Sequence, residues 1–282
     1  MIVVGVDGSA SAYAAVDWAA DDAARRGLDL RVVHVREPWA AEHPLTAASD
    51  HHTLTERDGE LLNAAARQAR ERRPGLHVIT ALSTGAVAER LRHEAQHADA
   101  LVLGNRGLGG FTGLLLGSVG LTLAGHVPCP LVVVREAAPE RFGEIVAGFD
   151  GSADAEAAVA YALEQARAEG ARLRVVYGVR TPTPAPQPVG YGPIPWGVSV
   201  QEIGQRLAPW RNKYPDVEVA EEVVAGHPVA LLARASRHAD LVVVGSRGLG
   251  GFASAVLGSV SHGILHHARC PVAVVRTGGV SS

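Results

Sequence analysis

The sequence predicts two tandem α/β domains, each a doubly wound, mostly parallel sheet with helices on both faces. Three observations predict it. The chain is an internal duplication: Asp7-Gly8-Ser9 returns 143 residues later as Asp150-Gly151-Ser152, while Gly104 and Cys129 return 141 residues later as Gly245 and Cys270. Short apolar runs alternate with segments of helical period, which calls for right-handed crossovers between parallel strands. The runs are continuous rather than alternating, as strands covered on both faces should be. At 282 residues there is length for two ordinary cores. The short linker, about Glu136 to Phe142, divides the chain into domains at 1–137 and 138–282.

Each copy opens on an apolar strand, Ile2 to Val6 and Ile145 to Phe149. Gly5 and Gly148 interrupt these strands, and a glycine there marks a close approach by backbone or ligand. After Asp-Gly, Ser9 or Ser11 can cap a helix whose Ala12, Ala15, Val16 and Ala19 recur at helical spacing, mirrored by Ala155, Ala158, Val159 and Ala162. Gly27 and Gly170 stop these helices. Strand two is Leu30 to Val35, matched by Leu173 to Val176. A helix follows around Thr53 to Arg72 in the first copy, whereas Thr181 to Gly197 in the second carries six prolines and reads as a surface crossover loop of extended backbone. Strand three lies near Leu76 to Leu82 and Val217 to Val223, and Gly85 or Gly226 then turns the chain into a third helix. Strand four is Ala100 to Leu103 and Leu241 to Val244. A glycine-rich loop leads to a fourth helix near Gly117-Ser118 or Gly258-Ser259, and the last strands are Leu131 to Val134 and Val272 to Val275.

The charge balance, 26 Lys+Arg against 29 Asp+Glu, offers no broad basic face for nucleic acid or an anionic membrane. No apolar run reaches the ~18 residues that span a bilayer. The opening MIVVGVDGS lacks the basic region of a signal peptide, so a cytoplasmic location is expected. Cys129 and Cys270 occupy matched places before a proline and a Val-rich run, which suits small buried residues rather than a disulfide.

The chemistry concentrates in one repeated stretch. GNRGLGGFTGLLLGS, Gly104 to Ser118, returns as GSRGLGGFASAVLGS, Gly245 to Ser259, and both fit G-x2-G-x9-G-[ST]. Glycines let backbone approach an anion, and the free amides of a following helix favour negative charge, so the pattern suits phosphate. Ligands of open α/β sheets bind beyond the carboxyl ends of the strands where the order reverses. Asp7 ends strand one and Gly104 ends strand four. If those strands are neighbours, a carboxylate and a phosphate cradle share a crevice, as a nucleotide site requires. Asp7 also suits a plain Asp-Gly turn. No lysine-bearing P-loop and no G-x-G-x-x-G is present. Arg106 and Arg247 stand in the loops, either on phosphate or in solvent.

The Val-Gly-Val-Asp-Gly-Ser opening, the doubled glycine motif and the Cys-Pro-Leu-Val-Val-Val close resemble the universal stress protein family in its tandem form, over nearly the whole chain. The resemblance implies a sheet of order 3-2-1-4-5 in each domain, ATP binding, with Mg2+ held mainly by phosphate oxygens, and dimer-like pairing through the last strand, hence a homo-oligomer. It implies that Asp7 receives the adenine or ribose end, that Val35 lines the base pocket, that Gly104 and Gly107 hold ribose and first phosphates, and that Gly117, Ser118 and Val119 take the terminal phosphates. Gly5, Gly8, Ser9, Asn105, Arg106, Gly109 and Gly110 complete this nucleotide-binding set. The second set is Gly148, Asp150, Gly151, Ser152, Gly245, Ser246, Arg247, Gly248, Gly250, Gly251, Gly258, Ser259 and Val260. Gly178 aligns with Val35, so base packing differs there.

Two patterns are set aside. His93 to His97 reads H-E-x-x-H, the helical spacing of a zinc protease, but no third ligand follows and the second copy lacks the pattern. His262, His266 and His267 are expected at the surface, with no metal site. With no evident nucleophile or general base, the expectation is a nucleotide-holding sensor or regulator with at most weak hydrolysis. The rivals are a slow ATPase or nucleotidyl-transfer enzyme, and an interaction module with vestigial sites.

Overall fold

The computed structural model describes residues 1–37, 48–108, 116–135, 141–179, 200–249 and 257–277, without the side chains of 48–54 and 200. The expected domain boundary and the proline-rich stretch lie outside these. The strands are β1 (Ile2–Val6), β2 (Leu30–Arg36), β3 (Val78–Thr84), β4 (Ala100–Gly104), β5 (Leu131–Val134), β6 (Glu144–Gly148), β7 (Arg172–Val179), β8 (Val219–Ala225), β9 (Leu241–Gly245) and β10 (Val272–Val275). The α-helices are α1 (Ala10–Arg26), α2 (Ala48–Arg72), α3 (Val87–Glu94), α4 (Ser118–Leu123), α5 (Ala153–Glu169), α6 (Val200–Lys213), α7 (Pro228–Ala235) and α8 (Ser259–His267).

The strands form one sheet ordered β3-β2-β1-β4-β5-β10-β9-β6-β7-β8, which is the 3-2-1-4-5 order twice, back to back. Pairing within each half is parallel, and β5 meets β10 antiparallel with Ala273 opposite Val132. The last-strand pairing thus occurs inside the chain. Both strands are interior to the sheet, so an oligomer of whole chains would use another surface.

Opposite faces of each strand feed different cores. Ile2, Val4 and Val6 pack with α1 and α2, continuous with the corresponding layer under α5 and α6. Val3, Val33 and Leu101 pack with α3 and α4, continuous with α7 and α8. Burial on both faces is why the runs lack a polar alternation. Ser9 caps α1 by accepting the Ala12 amide at 3.2 Å, and Ser152 caps α5 through Ala155. Gly27 and Gly170 end these helices in the left-handed conformation.

Several expectations need adjustment. Strands β3 and β8 begin and end two residues later than predicted, because Pro74-Gly75 and the turn at Pro215 extend before them. Helix α6 was not foreseen, since Pro209 lies inside it. The H-E-x-x-H residues do not share one α-helix: α3 stops at Glu94, Ala95–His97 forms a single 3-10 turn, and Glu94 is engaged by Arg31 at 2.7 Å. Cys129 and Cys270 are buried, unpaired thiols, and burial pushes both up to about 12. No described helix is long and apolar enough to cross a membrane.

The halves also meet through α1 and α5, whose facing positions are related by the duplication yet chemically unlike. Asp22 corresponds to Gln165 and Arg26 to Glu169. Arg25 reaches Glu169 at 2.8 Å, Arg26 pairs with Asp22 at 3.3 Å, and Asp22 and Gln165 are fully buried. Burial pushes the Asp22 and Glu169 carboxyls above their ordinary range despite these arginines. A buried pair suffers most when one partner is lost, whereas replacing both by apolar groups is often neutral. Arg25→Met should therefore cost about 3 kcal/mol in urea unfolding, and adding Glu169→Met should recover most of it. Additive losses in the double variant would show that the two side chains do not act as a pair.

Candidate functional site

Strand order reverses at β1, which has β2 on one side and β4 on the other, and the same holds for β6 between β7 and β9. The segments leaving β1 and β4 therefore diverge to opposite faces and open a crevice at their carboxyl ends. The duplicated Asp and glycine loop meet at that place in each half.

Asp7 serves both the turn and the loop. Its Oδ1 accepts the Ser9 amide at 3.0 Å, the expected Asp-Gly turn, and its Oδ2 accepts the Leu108 amide at 2.8 Å. Asp150 does the same with Ser152 at 2.9 Å and Leu249 at 3.0 Å. Between the Asp and Ser of each turn, Gly8 and Gly151 sit at φ +88° and +85°. Each carboxylate oxygen keeps accepting capacity beyond one amide. Leu108 and Leu249 project from the loops, 74 % and 72 % exposed.

The motif glycines differ in what demands them. A Cβ on Gly104 would lie 2.6 Å from the Ser11 backbone, and one on Gly245 2.7 Å from the Asp154 backbone, so the first glycine lets β4 or β9 pass against the start of α1 or α5. A Cβ on Gly107 or Gly248 would strike the carboxylate of Asp7 or Asp150, at 2.5 Å in the first case. Gly5 and Gly148 make room for side chains, Leu91 and Leu103 in one half and Leu232 and Val244 in the other. Gly109, Gly110, Gly250 and Gly251 lie outside the described residues.

The loop closes on itself. The Gly117 amide donates to the Asn105 carbonyl at 2.8 Å and the Gly258 amide to Ser246 at 2.7 Å. Gly117 and Gly258 are then the N-caps of α4 and α8 and supply no side chain to the first amides, which begin at Ser118-Val119 and Ser259-Val260. An uncapped helix start is an anion site in waiting.

In the second half these parts line a cavity of about 740 Å³, within the range of small-molecule sites. Gly148, Asp150, Gly245, Arg247, Gly248, Gly258, Ser259 and Val260 all contribute to its wall. Residues not anticipated also line it, among them Tyr177, Pro228, Leu232, Ser261 and His262. The register supports the Val35 alignment, since Gly5 pairs with Val33 and Gly148 with Val176. Val35 is buried in the first half, whereas its counterpart Gly178 lines the second cavity, and a Cβ there would come within 3.4 Å of Pro228 and Leu231.

The halves also differ beneath the loop. Ser11 donates to the Arg106 carbonyl, as Ser9 does at 3.1 Å. Its counterpart is a buried carboxylate, Asp154, which accepts from Ser246 Oγ at 2.7 Å, the Arg247 amide at 3.1 Å and the Thr277 amide at 2.9 Å, with the Arg247 guanidinium 3.8 Å away. Sequence reasoning missed this residue, although an acid at the second position of a helix was a visible signal. Burial would raise its pKa, but the bonds from Thr277, Ser246 and Arg247 outweigh burial and hold it below the ordinary range. Near α8, burial and the neighbouring His262, His267 and Arg135 lower His266.

The chain is thus a tandem of two doubly wound α/β halves, each bringing an aspartate and a glycine loop together where its strand order reverses. The universal stress protein family profile matches residues 1–135 and again 141–276. A universal stress protein of Mycobacterium tuberculosis is 33 % identical, covering 98 % of this chain and 94 % of its own. One from Mycolicibacterium smegmatis is 35 % identical, covering 98 % and 96 %. A universal stress protein crystal structure from Archaeoglobus fulgidus shares the fold with a TM-score of 0.74 at 19 % identity, over 98 % of this chain and 95 % of that one. The chain belongs to the universal stress protein family and carries two of its domains in tandem.

A native carboxylate with a depressed pKa stabilises above the unfolded-state value near 4, and that stability is lost as pH falls through the lower native value. Asp154→Asn should flatten the acid limb of stability below about pH 4 and cost roughly 1–3 kcal/mol at neutral pH. An unchanged acid limb in urea titrations would remove Asp154 from this role.

Proposed function

We propose that the chain binds ATP in both crevices and acts as a sensor or regulator in the stress response, with little or no hydrolysis. The observation that carries this reading is the second cavity, whose wall unites the Asp150 carboxylate, the glycine loop and the uncapped start of α8. A polyanion at that helix start gains amides that no side chain occupies, and Arg247 lies in the same wall. The apolar end, with Val176, Gly178 and Leu232, suits a flat base. In the first half Asp7, Gly107, Gly117 and Ser118 repeat the arrangement.

The donor set fits Mg2+ carried by the nucleotide. Among the described residues no group of three or more His, Cys, Asp or Glu could hold an ion, and Asp150 is engaged by two amides. Phosphate oxygens and water would supply the coordination, with Asp150, Tyr177, Ser259 and Ser261 as the residues with side-chain oxygens in the wall. The ion would neutralise phosphate charge.

Sensing then follows from linkage, since a ligand that prefers one arrangement of loop and helix shifts the population toward it. A slow ATPase is the second reading, favoured only by His262 in the cavity wall as a titratable group. An interaction module with vestigial sites would leave the cavity without a ligand.

Mass spectrometry of ligand released from the purified chain tests the reading. Gly117 is extended, at φ −73° and ψ 154°, so Gly117→Glu fits its backbone and sets a carboxylate where phosphate would lie. Gly258 is more tightly enclosed, so Ser259→Glu, at an exposed position, is the second-site variant. Two nucleotides per chain are expected, falling to one in either variant and to none in the double. Full stoichiometry in the double variant would overturn the assignment, and rapid turnover by wild type would favour the enzyme.

A further inference from the structure

Helix α8 carries chemistry that its counterpart lacks. His262 and His266 are four residues apart, one turn along the same face, and their ring centroids are 4.8 Å apart at an interplanar angle of 51°. The duplicated positions hold Leu121 and Gly125. His262 is exposed and lines the second cavity, while His266 is half-buried beside it. Neither ring has a carboxylate or other hydrogen-bond acceptor among the described residues, unlike His126, which bonds the Thr122 carbonyl at 2.6 Å. Arg135, the cation that approaches His266, is turned onto the Leu265 and His266 carbonyls at 2.7 and 2.8 Å.

We propose that His262 and His266 form a bidentate site for a late first-row divalent cation, such as zinc, nickel or cobalt, at the rim of the second cavity. Imidazole nitrogens suit these ions, and two His at i and i+4 on a helix are a standard chelating pair. Metal–nitrogen bonds of about 2.0–2.1 Å at a tetrahedral angle put the two nitrogens roughly 3.4 Å apart. Rings with centroids 4.8 Å apart reach that separation by side-chain rotation alone. With two protein ligands, the remaining positions go to water or to the phosphate oxygens of a ligand in the cavity that His262 lines, a consequence that rests on the nucleotide reading. The first half has no equivalent, so the cation acts on one crevice only.

Calorimetric titration of the full chain with Zn2+ or Co2+ alone tests the site. One ion per chain is expected. Loss of an outer-shell partner already costs ~10–100-fold in metal affinity, so His262→Ala or His266→Ala should weaken binding at least about tenfold, with His267→Ala unchanged. All three residues lie on the last helix away from β-strand pairing, and matching far-ultraviolet circular dichroism would establish that the variants fold. Equal affinity in His262→Ala, or loss in His267→Ala, would overturn the site. In Gly117→Glu, which blocks the first crevice, the ion should raise ATP affinity in the presence of His262 and not in its absence, as reciprocal linkage demands. ATP binding that ignores the ion would refute the coupling. Failure of ATP to bind at all would refute the nucleotide reading while the ion titration still decides the site.

Discussion

The antiparallel ladder between β5 and β10 is the constraint on which the architecture rests. Alone, each half would end in a last strand with unpaired amides and carbonyls, an edge that a protein must cover. Joining the two edges satisfies both and merges two five-stranded sheets into one of ten. It also fixes the relation of the crevices, because each glycine loop leaves the strand beside this ladder. The loop's first residue hydrogen-bonds back to it, Asn105 to the Val134 carbonyl at 2.7 Å and Ser246 to Val275 at 2.6 Å.

From that seam outward, the site is assembled by contacts that only bare backbone permits. The start of α1 presses on Gly104 and the Asp7 carboxylate on Gly107, so the loop is clamped from two sides before any ligand is considered. The clamp leaves the helix start behind Gly117 or Gly258 open. Helix starts whose first amides no side chain caps suit an anion.

Much of this was legible from residue types alone. Apolar runs without polar alternation announced buried parallel strands, and the duplicated Asp-Gly-Ser and G-x2-G-x9-G-[ST] patterns identified the residues that gather at the switch points. Sequence could not say what each glycine accommodates: Gly104 reads as a ligand contact, yet its lack of a side chain is already required by helix α1. Asp154 was missed because its partners, Ser246 and Thr277, are 92 and 123 residues away, and no local period encodes such a contact. Helix α6 was hidden by Pro209, where tertiary packing of Ile203 and Leu207 overrides a local breaker. The family resemblance supplied the strand order, which periodicity alone does not specify.

Arg135 follows β5 yet completes the end of α8, while Arg276 follows β10 and donates to the Gly125 carbonyl at 2.8 Å just beyond α4. Each arginine therefore finishes the helix whose opposite end faces the other half's crevice. The two copies trade a component across the seam. Position 135 therefore supplies donors to the end of the second half's last helix, and position 276 supplies one just beyond the first half's.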